Sequence, residues 1–209
     1  MAIIKQGILG GFKKKIGSVV GSSWKGIATM RSLPLSVANP KTAAQVSNRN
    51  RFKTCAQFAS LILASLIKPL MDRFAGQMSG YNFFTKLNKD VWENPLSPTW
   101  ADLVISKGKM IAPNLGDTQA TAAGVTIDWD QTGDDRYGLP TDKVFALVVN
   151  TTTNEILFQG DTGKKRVDVD VVIEFDTPQV SGNTIYVYAS FLRADNSEVS
   201  NCGQFHATL

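Results

Sequence analysis

Cysteine and histidine are nearly absent from this sequence, whose 209 residues hold only Cys55, Cys202 and His206 of these two types. Two cysteines so far apart form neither a C-x-x-C pair nor a framework of close bridges, which excludes a disulfide scaffold and a zinc site of the usual spacing. One histidine leaves little for nucleophilic catalysis, where a base must be held beside a nucleophile. Ser200 and Cys202 are near His206 in the chain, but with no residue to orient it His206 reads as an ordinary strand residue. Long apolar runs are missing as well. The longest, Cys55–Ile67, is interrupted by Gln57, Ser60 and Ser65 and falls short of the roughly 20 residues a spanning helix needs. No apolar stretch at the N-terminus leads to a small-residue cleavage site, so Met1 reads as the mature start and no secretory signal is expected. The glycines and lysines of Gly7–Gly17 are not in the order of a phosphate-cradling loop, which excludes an NTPase of that type.

Acidic residues are scarce in the first hundred positions, where 14 Lys and Arg face only Asp72, Asp90 and Glu93. The remaining residues reverse the balance, with 8 basic against 15 acidic side chains, although the whole chain carries a formal charge of only +4. Such asymmetry points to polyanion binding by the basic half or to association between unlike ends. Two domains that merely differ in surface charge would give the same numbers. With 43% hydrophobic residues the chain can build a core, and disorder is not its dominant state.

What is present divides into three segments. Residues 1–38 form a glycine-rich basic arm, with Gly7, Gly10, Gly11, Gly17, Gly21 and Gly26. Each glycine costs a helix about 1 kcal/mol relative to Ala, so Ile16–Val20 and Ile27–Leu33 are expected as short strands. The same glycines weigh against a membrane-active peptide, which the apolar residues around Lys13–Lys15 otherwise suggest. Residues 39–94 read as helical. Asn39-Pro40 supplies a cap and a first helical position, and Thr42–Gln45 fits a capping box. Phe52, Cys55, Ala59, Ile62, Leu63 and Leu66 recur at helical spacing, Pro69 is expected to kink that helix, and Tyr81–Trp92 reads as a second one. The prolines at 95 and 98 mark the expected domain boundary.

Residues 99–209 switch to a period of two. Strands are expected over Leu103–Ile111, Gly124–Trp129, Lys143–Asn150, Glu155–Gln159, Val167–Phe175, Ile185–Phe191 and Glu198–Thr208. About seven strands over such a length predict an immunoglobulin-like or fibronectin-like antiparallel β-sandwich, giving an α+β chain overall. Trp129 reads as a core or rim aromatic of that sandwich. Asp128–Gly133 imitates the opening of a calcium loop, but Leu139 stands where the bidentate Glu belongs, and Asp128, Asp130, Asp134 and Asp135 read as turn formers. No metal and no cofactor is expected.

The strongest candidate surface is basic. Lys13, Lys14, Lys15, Lys25 and Arg31 are interleaved with Phe12 and Trp24, and Arg49, Arg51 and Lys53 follow on the helix. Together they suit phosphates or an acidic partner, although no reader motif for nucleic acid is present.

Several of these residues also carry a resemblance. Lys15-Ile-Gly-Ser-Val-Val-Gly-Ser-Ser-Trp-Lys-Gly26, Arg31-Ser-Leu-Pro34, Asn39-Pro-Lys-Thr-Ala-Ala-Gln45, Arg51-Phe52 and Tyr81-Asn82 occur in this order. The pattern resembles an uncharacterised family of Bacteroidota and their phages or prophages, and is similar to structural proteins of phage particles. Lys13 and Lys14 stand where such relatives carry a small polar residue and a glycine, which makes this chain more basic. The resemblance implies an architecture and a place in virion assembly but no site. A non-enzymatic, self-assembling virion component of coat, head or tail is therefore the expected function, with arm exchange and contacts between the basic half of one copy and the acidic half of the next joining the copies. It would reside in the virion if phage-encoded and in the cytoplasm otherwise, with other virion proteins as further partners. The alternatives are an intracellular nucleic-acid binder using the basic half and, third, a cell-surface adhesin-like module.

Overall fold

The computed structural model describes residues 2–4, 12–93, 98–130 and 137–209, and the chain forms two compact units, Met1–Val46 and Ser47–Leu209. The first is built on an antiparallel sheet of β1 (Ala2–Ile4), β2 (Lys14–Ile16), β3 (Val19–Trp24) and β4 (Ile27–Ser32), in the order β1-β4-β3-β2. Lys25 and Gly26 close the β3–β4 hairpin with φ of 46° and 80°, the left-handed pair that matches the twist of the flanking strands. Of the expected arm strands, Ile27–Leu33 is present as β4, whereas Ile16–Val20 is not one strand: it spans the turn at Gly17 (φ 59°) and Ser18 that joins β2 to β3, and Gly7, Gly10 and Gly11 lie outside the described residues.

Helix α1 spans Ala43–Leu61. It starts later than Asn39-Pro40 suggests, because Thr42 supplies the cap: the Gln45 N–H donates to its hydroxyl at 3.4 Å and the Val46 N–H to its carbonyl at 3.0 Å. Beyond Leu61 the chain turns by 96° into a π-helical segment, Leu63–Asp72. The bend is therefore at Ile62, not at Pro69, which lies inside that segment. Both the Leu66 and the Ile67 N–H donate to the Ile62 carbonyl, at 3.0 and 3.1 Å, which widens the turn. A wider turn moves the carbonyl four residues back away from the Pro69 ring, so the proline is accommodated without a kink. Helix α2 spans Gly80–Asn88, shorter than Tyr81–Trp92, with the Ser79 hydroxyl accepting from the Asn82 N–H. Its last residue, Asn88, is buried and both donates to and accepts from the backbone of Val104, at 2.8 and 2.7 Å. No single helix is long and apolar enough to cross a membrane among the described residues.

The remaining strands are β5 (Gln119–Ala120), β6 (Gly124–Asp128), β7 (Lys143–Asn150), β8 (Glu155–Lys165), β9 (Asp170–Glu174), β10 (Thr184–Leu192) and β11 (Gly203–Thr208). They form two antiparallel sheets, β11-β10-β7-β8 and β5-β6-β9, so the fold is mixed α and β. Strand β7 is buried on both faces. Phe145, Leu147 and Val149 join Phe58, Ile62, Leu66, Phe84, Trp92 and Trp100 in one core, while Val144, Ala146 and Val148 join Val125, Ile127, Val171 and Ile173 in another. Helical segment, four-stranded sheet and three-stranded sheet thus share their cores in successive layers. Residues 94–97, the heart of the expected boundary, lie outside the described residues, and the residues on either side of them share the first core.

Several strand expectations change. Glu198–Thr208 shortens to Gly203–Thr208, with Val199 and Ser200 in isolated bridges only, Glu155–Gln159 lengthens to Glu155–Lys165, and Gln119–Ala120 adds an unexpected strand. Leu103–Ile111 is not a strand but an extended segment tied down by one bridge, Met110–Ser200, with Leu103, Ile105 and Met110 buried. Strand β9 starts only at Asp170, because Arg166–Asp168 forms a 3-10 turn and Val169 takes a left-handed φ of 59°. Val167 and Val169 are consequently exposed, and the inward row is Val171, Ile173 and Phe175. A buried ionic latch holds this turn. Arg166 is 3% exposed, its Nε donates to Asp142 Oδ2 at 3.3 Å and its guanidinium lies 3.7 Å from the Phe191 ring centre. The Trp129 indole N–H donates to the Arg166 carbonyl at 2.9 Å, so Trp129 is a core aromatic.

Candidate functional site

The nine basic and aromatic candidates divide between the two units. Lys13, Lys14, Lys15, Trp24, Lys25 and Arg31 belong to the arm sheet and are exposed. Cross-strand register puts Lys15, Val20 and Arg31 in one row on one face, with Trp24 further along that face. Lys14 and Ile16 lie on the opposite face, and Ile16 is 60% exposed. Lys14 has a φ of 81°, a conformation that non-glycine residues seldom adopt within a strand. Among the described residues, strand β2 pairs with β3 alone and ends the sheet. Apart from Gly21, over which Phe12 packs, no described residue of 12–46 is buried.

Arg49, Arg51 and Lys53 lie on α1. Arg49 and Lys53 are exposed, and Arg51 is half-buried, with Nη1 3.3 Å from Asp90 Oδ1 and Nη2 donating to Asn48 Oδ1 at 2.9 Å.

A second surface was not singled out from the sequence as individual residues. The outer face of the three-stranded sheet carries Thr126 and Asp128 of β6 with Asp170, Val172 and Glu174 of β9, and Val172 is 61% exposed. Asp128 stands directly opposite Asp170 in the register, a like-charge pairing that costs stability. Partial desolvation, and then the charges of Asp170 and Asp117, hold the Asp128 carboxyl above its ordinary range. Among the described residues, strand β9 pairs with β6 alone and is the sheet's edge. The signal was in the sequence: Asp170, Val172 and Glu174 are the alternate residues between the inward Val171, Ile173 and Phe175.

Asp128 and Asp130 also line a cleft of about 180 Å³ with Asn114, Gly116, Asp117, Trp129 and Val169. Asn114 Nδ2 donates to Asp130 Oδ2 at 2.8 Å, and Asp134 and Asp135 lie outside the described residues. Among the described residues no group of three or more His, Cys, Asp or Glu side chains is placed to hold a metal. His206 stacks on Tyr186 with ring centres 5.1 Å apart. The Ser200 hydroxyl is committed to the Asn201 carbonyl, the Phe191 N–H and Ser190. The Cys202 thiol points to the Leu103 carbonyl at 3.8 Å, and burial raises its pKa.

Residues 11–205 match the family of unknown function DUF6266. The chain belongs to that family. The DUF6266 match takes in the arm strands β2 to β4, both helices and all nine candidate residues, so the two units belong to one family pattern. No curated protein and no solved structure matches the chain.

Proposed function

We propose that this member of DUF6266 is a non-enzymatic structural subunit that assembles with copies of itself, as a coat, head or tail component of a phage particle. One observation carries the assembly reading: among the described residues 12–46, Gly21 alone is buried. Ile16, Trp24, Met30, Leu33, Leu35 and Val37 are exposed, a concentration of apolar side chains at the surface that fits contact with a neighbouring subunit. The virion setting rests on the resemblance of the arm and helix-start motifs to phage structural proteins.

An immunoglobulin-like or fibronectin-like topology supports the same reading, since modules of this kind recur as assembly units. Of the seven strands β5 to β11, the first, second and fifth form one sheet and the seventh, sixth, third and fourth the other. This differs from a constant-type immunoglobulin sandwich only in the sheet that the fourth strand joins.

Size-exclusion chromatography with negative-stain microscopy tests the proposal. Regular particles, tubes or rings are expected at high concentration, and a variant lacking residues 1–46 should stay monomeric. A full-length chain that remains monomeric throughout would sink the assembly reading. The row Lys15–Val20–Arg31 with Trp24 favours nucleic-acid binding as the second reading. In that case binding weakens steeply with salt and on joint replacement of Lys13, Lys14 and Lys15.

A further inference from the structure

We propose that the assembly contact is an edge-to-edge strand pair, β2 of one copy laid along β9 of the next. This rests on the assembly reading above and names the two strands that make the contact. Among the described residues both are sheet edges, with one side of the backbone paired to no other described strand. An open edge is a template for another strand, and proteins restrict which strand it accepts through charge.

Charge here selects unlike edges. Strand β2 with Lys13 presents Lys13, Lys14 and Lys15, whereas β9 presents Asp170 and Glu174 with Asp168 and Asp176 flanking it. Two β2 edges would set lysines against lysines, and two β9 edges carboxylates against carboxylates, so pairing of identical edges is disfavoured.

The side-chain pattern fits as well as the charge. On one face β2 shows Lys14 and then Ile16, and the outer face of β9 shows Asp170, Val172 and Glu174. Setting Ile16 against Val172 covers two exposed apolar side chains at once. It brings Lys14 opposite Glu174 if the strands run antiparallel and opposite Asp170 if they run parallel. A lysine there also offsets the crowding of Asp128, Asp170 and Asp117 on this side of the sheet. The joined sheet runs β1-β4-β3-β2 into β9-β6-β5 of the neighbour. Because donor and acceptor edges differ, each copy keeps one of each free, and the contact propagates into rings or filaments.

Cysteine cross-linking of the full chain tests this pair. Ile16→Cys and Val172→Cys are made separately, each with Cys202→Ser, and assembled material is mildly oxidised. A linked dimer is expected from an equal mixture of the two variants and from neither alone. Dimers formed as readily by either variant alone would overturn the pairing, because like edges would then meet. Normal assembly without any cross-link in the mixture would overturn the strand pair and leave the assembly reading standing. Failure of the unaltered chain to assemble would remove both. Charge exchange gives a second measure: Lys14→Glu with Lys15→Glu, or Asp170→Lys with Glu174→Lys, should each lower the assembled fraction at least tenfold. Combining all four in one chain should restore it. Assembly destroyed by nuclease, with no rescue in the combined variant, would instead assign the lysines to a nucleic acid and overturn the proposal.

Discussion

Gly138 shows how closely a single position is set by its neighbours. A Cβ there would lie 2.7 Å from Cζ of Arg166, whose guanidinium is fixed between Asp142 and the Phe191 ring and has little room to retreat. Gly138→Ala is therefore expected to destabilise the second unit by about 1–3 kcal/mol in denaturant unfolding. Asp142→Ala should cost more, roughly 3–5 kcal/mol, because it removes the carboxylate paired with a buried guanidinium and the acceptor of the Leu139 N–H. Burial depresses the Arg166 pKa and Asp142 opposes that shift. Asp128 gives a signed dependence on pH. Its folded pKa is raised, so the folded state binds the extra proton between the ordinary carboxylate range and the raised value, and stability falls as pH rises through that window. Asp128→Asn should be more stable than the parent above the window and equal to it at lower pH, as read from unfolding midpoints across pH. Burial pushes the Cys55 thiol up to about 11, so Cys55 should resist thiol reagents at neutral pH until the protein unfolds.

At the scale of elements, the helices are held by side chains that bond to backbone. Asn88 ties α2 to the segment after Trp100, and the Tyr188 hydroxyl donates to the Trp100 carbonyl at 2.6 Å in a buried site. Asn88→Leu leaves the Val104 N–H and carbonyl without these partners, and a loss of about 2 kcal/mol or more is expected in chemical denaturation. The period-two alternation made β6 and β10 legible, since their core-facing rows are plain in the sequence. Strand β7 carried a different signal: Val144–Val149 is an unbroken apolar run, and it is buried on both sides. What escaped were features set by tertiary partners. Residues 103–111 look like a strand because alternate side chains are buried, yet almost no neighbouring backbone pairs with them. Likewise nothing local to Val169 announces a left-handed residue, because the latch around Arg166 imposes it. Pro69 misled for a related reason, as the widened turn that accommodates it begins at Ile62. Of the candidate site, the lysines of β2 were legible as a charge cluster. Their acidic counterpart on β9 needed the register to show which carboxylates share a face.

For the whole molecule, the two compact units predict separable behaviour. Residues 33–42 between β4 and α1 are exposed and belong to neither helix nor strand. Brief trypsin treatment of unassembled protein should cut at Arg31 and Lys41 and leave a fragment resembling Ser47–Leu209, detectable by mass spectrometry. That fragment should unfold with a midpoint close to the parent's, because both cores lie within it. Assembled protein should be protected at Lys41 and Arg31 if neighbouring copies cover the arm.

The same ten-residue connection between Ser32 and Ala43 acts as a tether of fixed length. Fully extended it spans at most about 35 Å. A domain the size of the second unit is on the order of 40 Å across by the usual scaling of radius of gyration with length. If copies join as proposed, the arm could reach an adjacent copy but not skip over one. Shortening the connection should then tighten or forbid the joint and lengthening it should loosen the spacing, so the repeat distance seen by microscopy should follow the length of this stretch of chain.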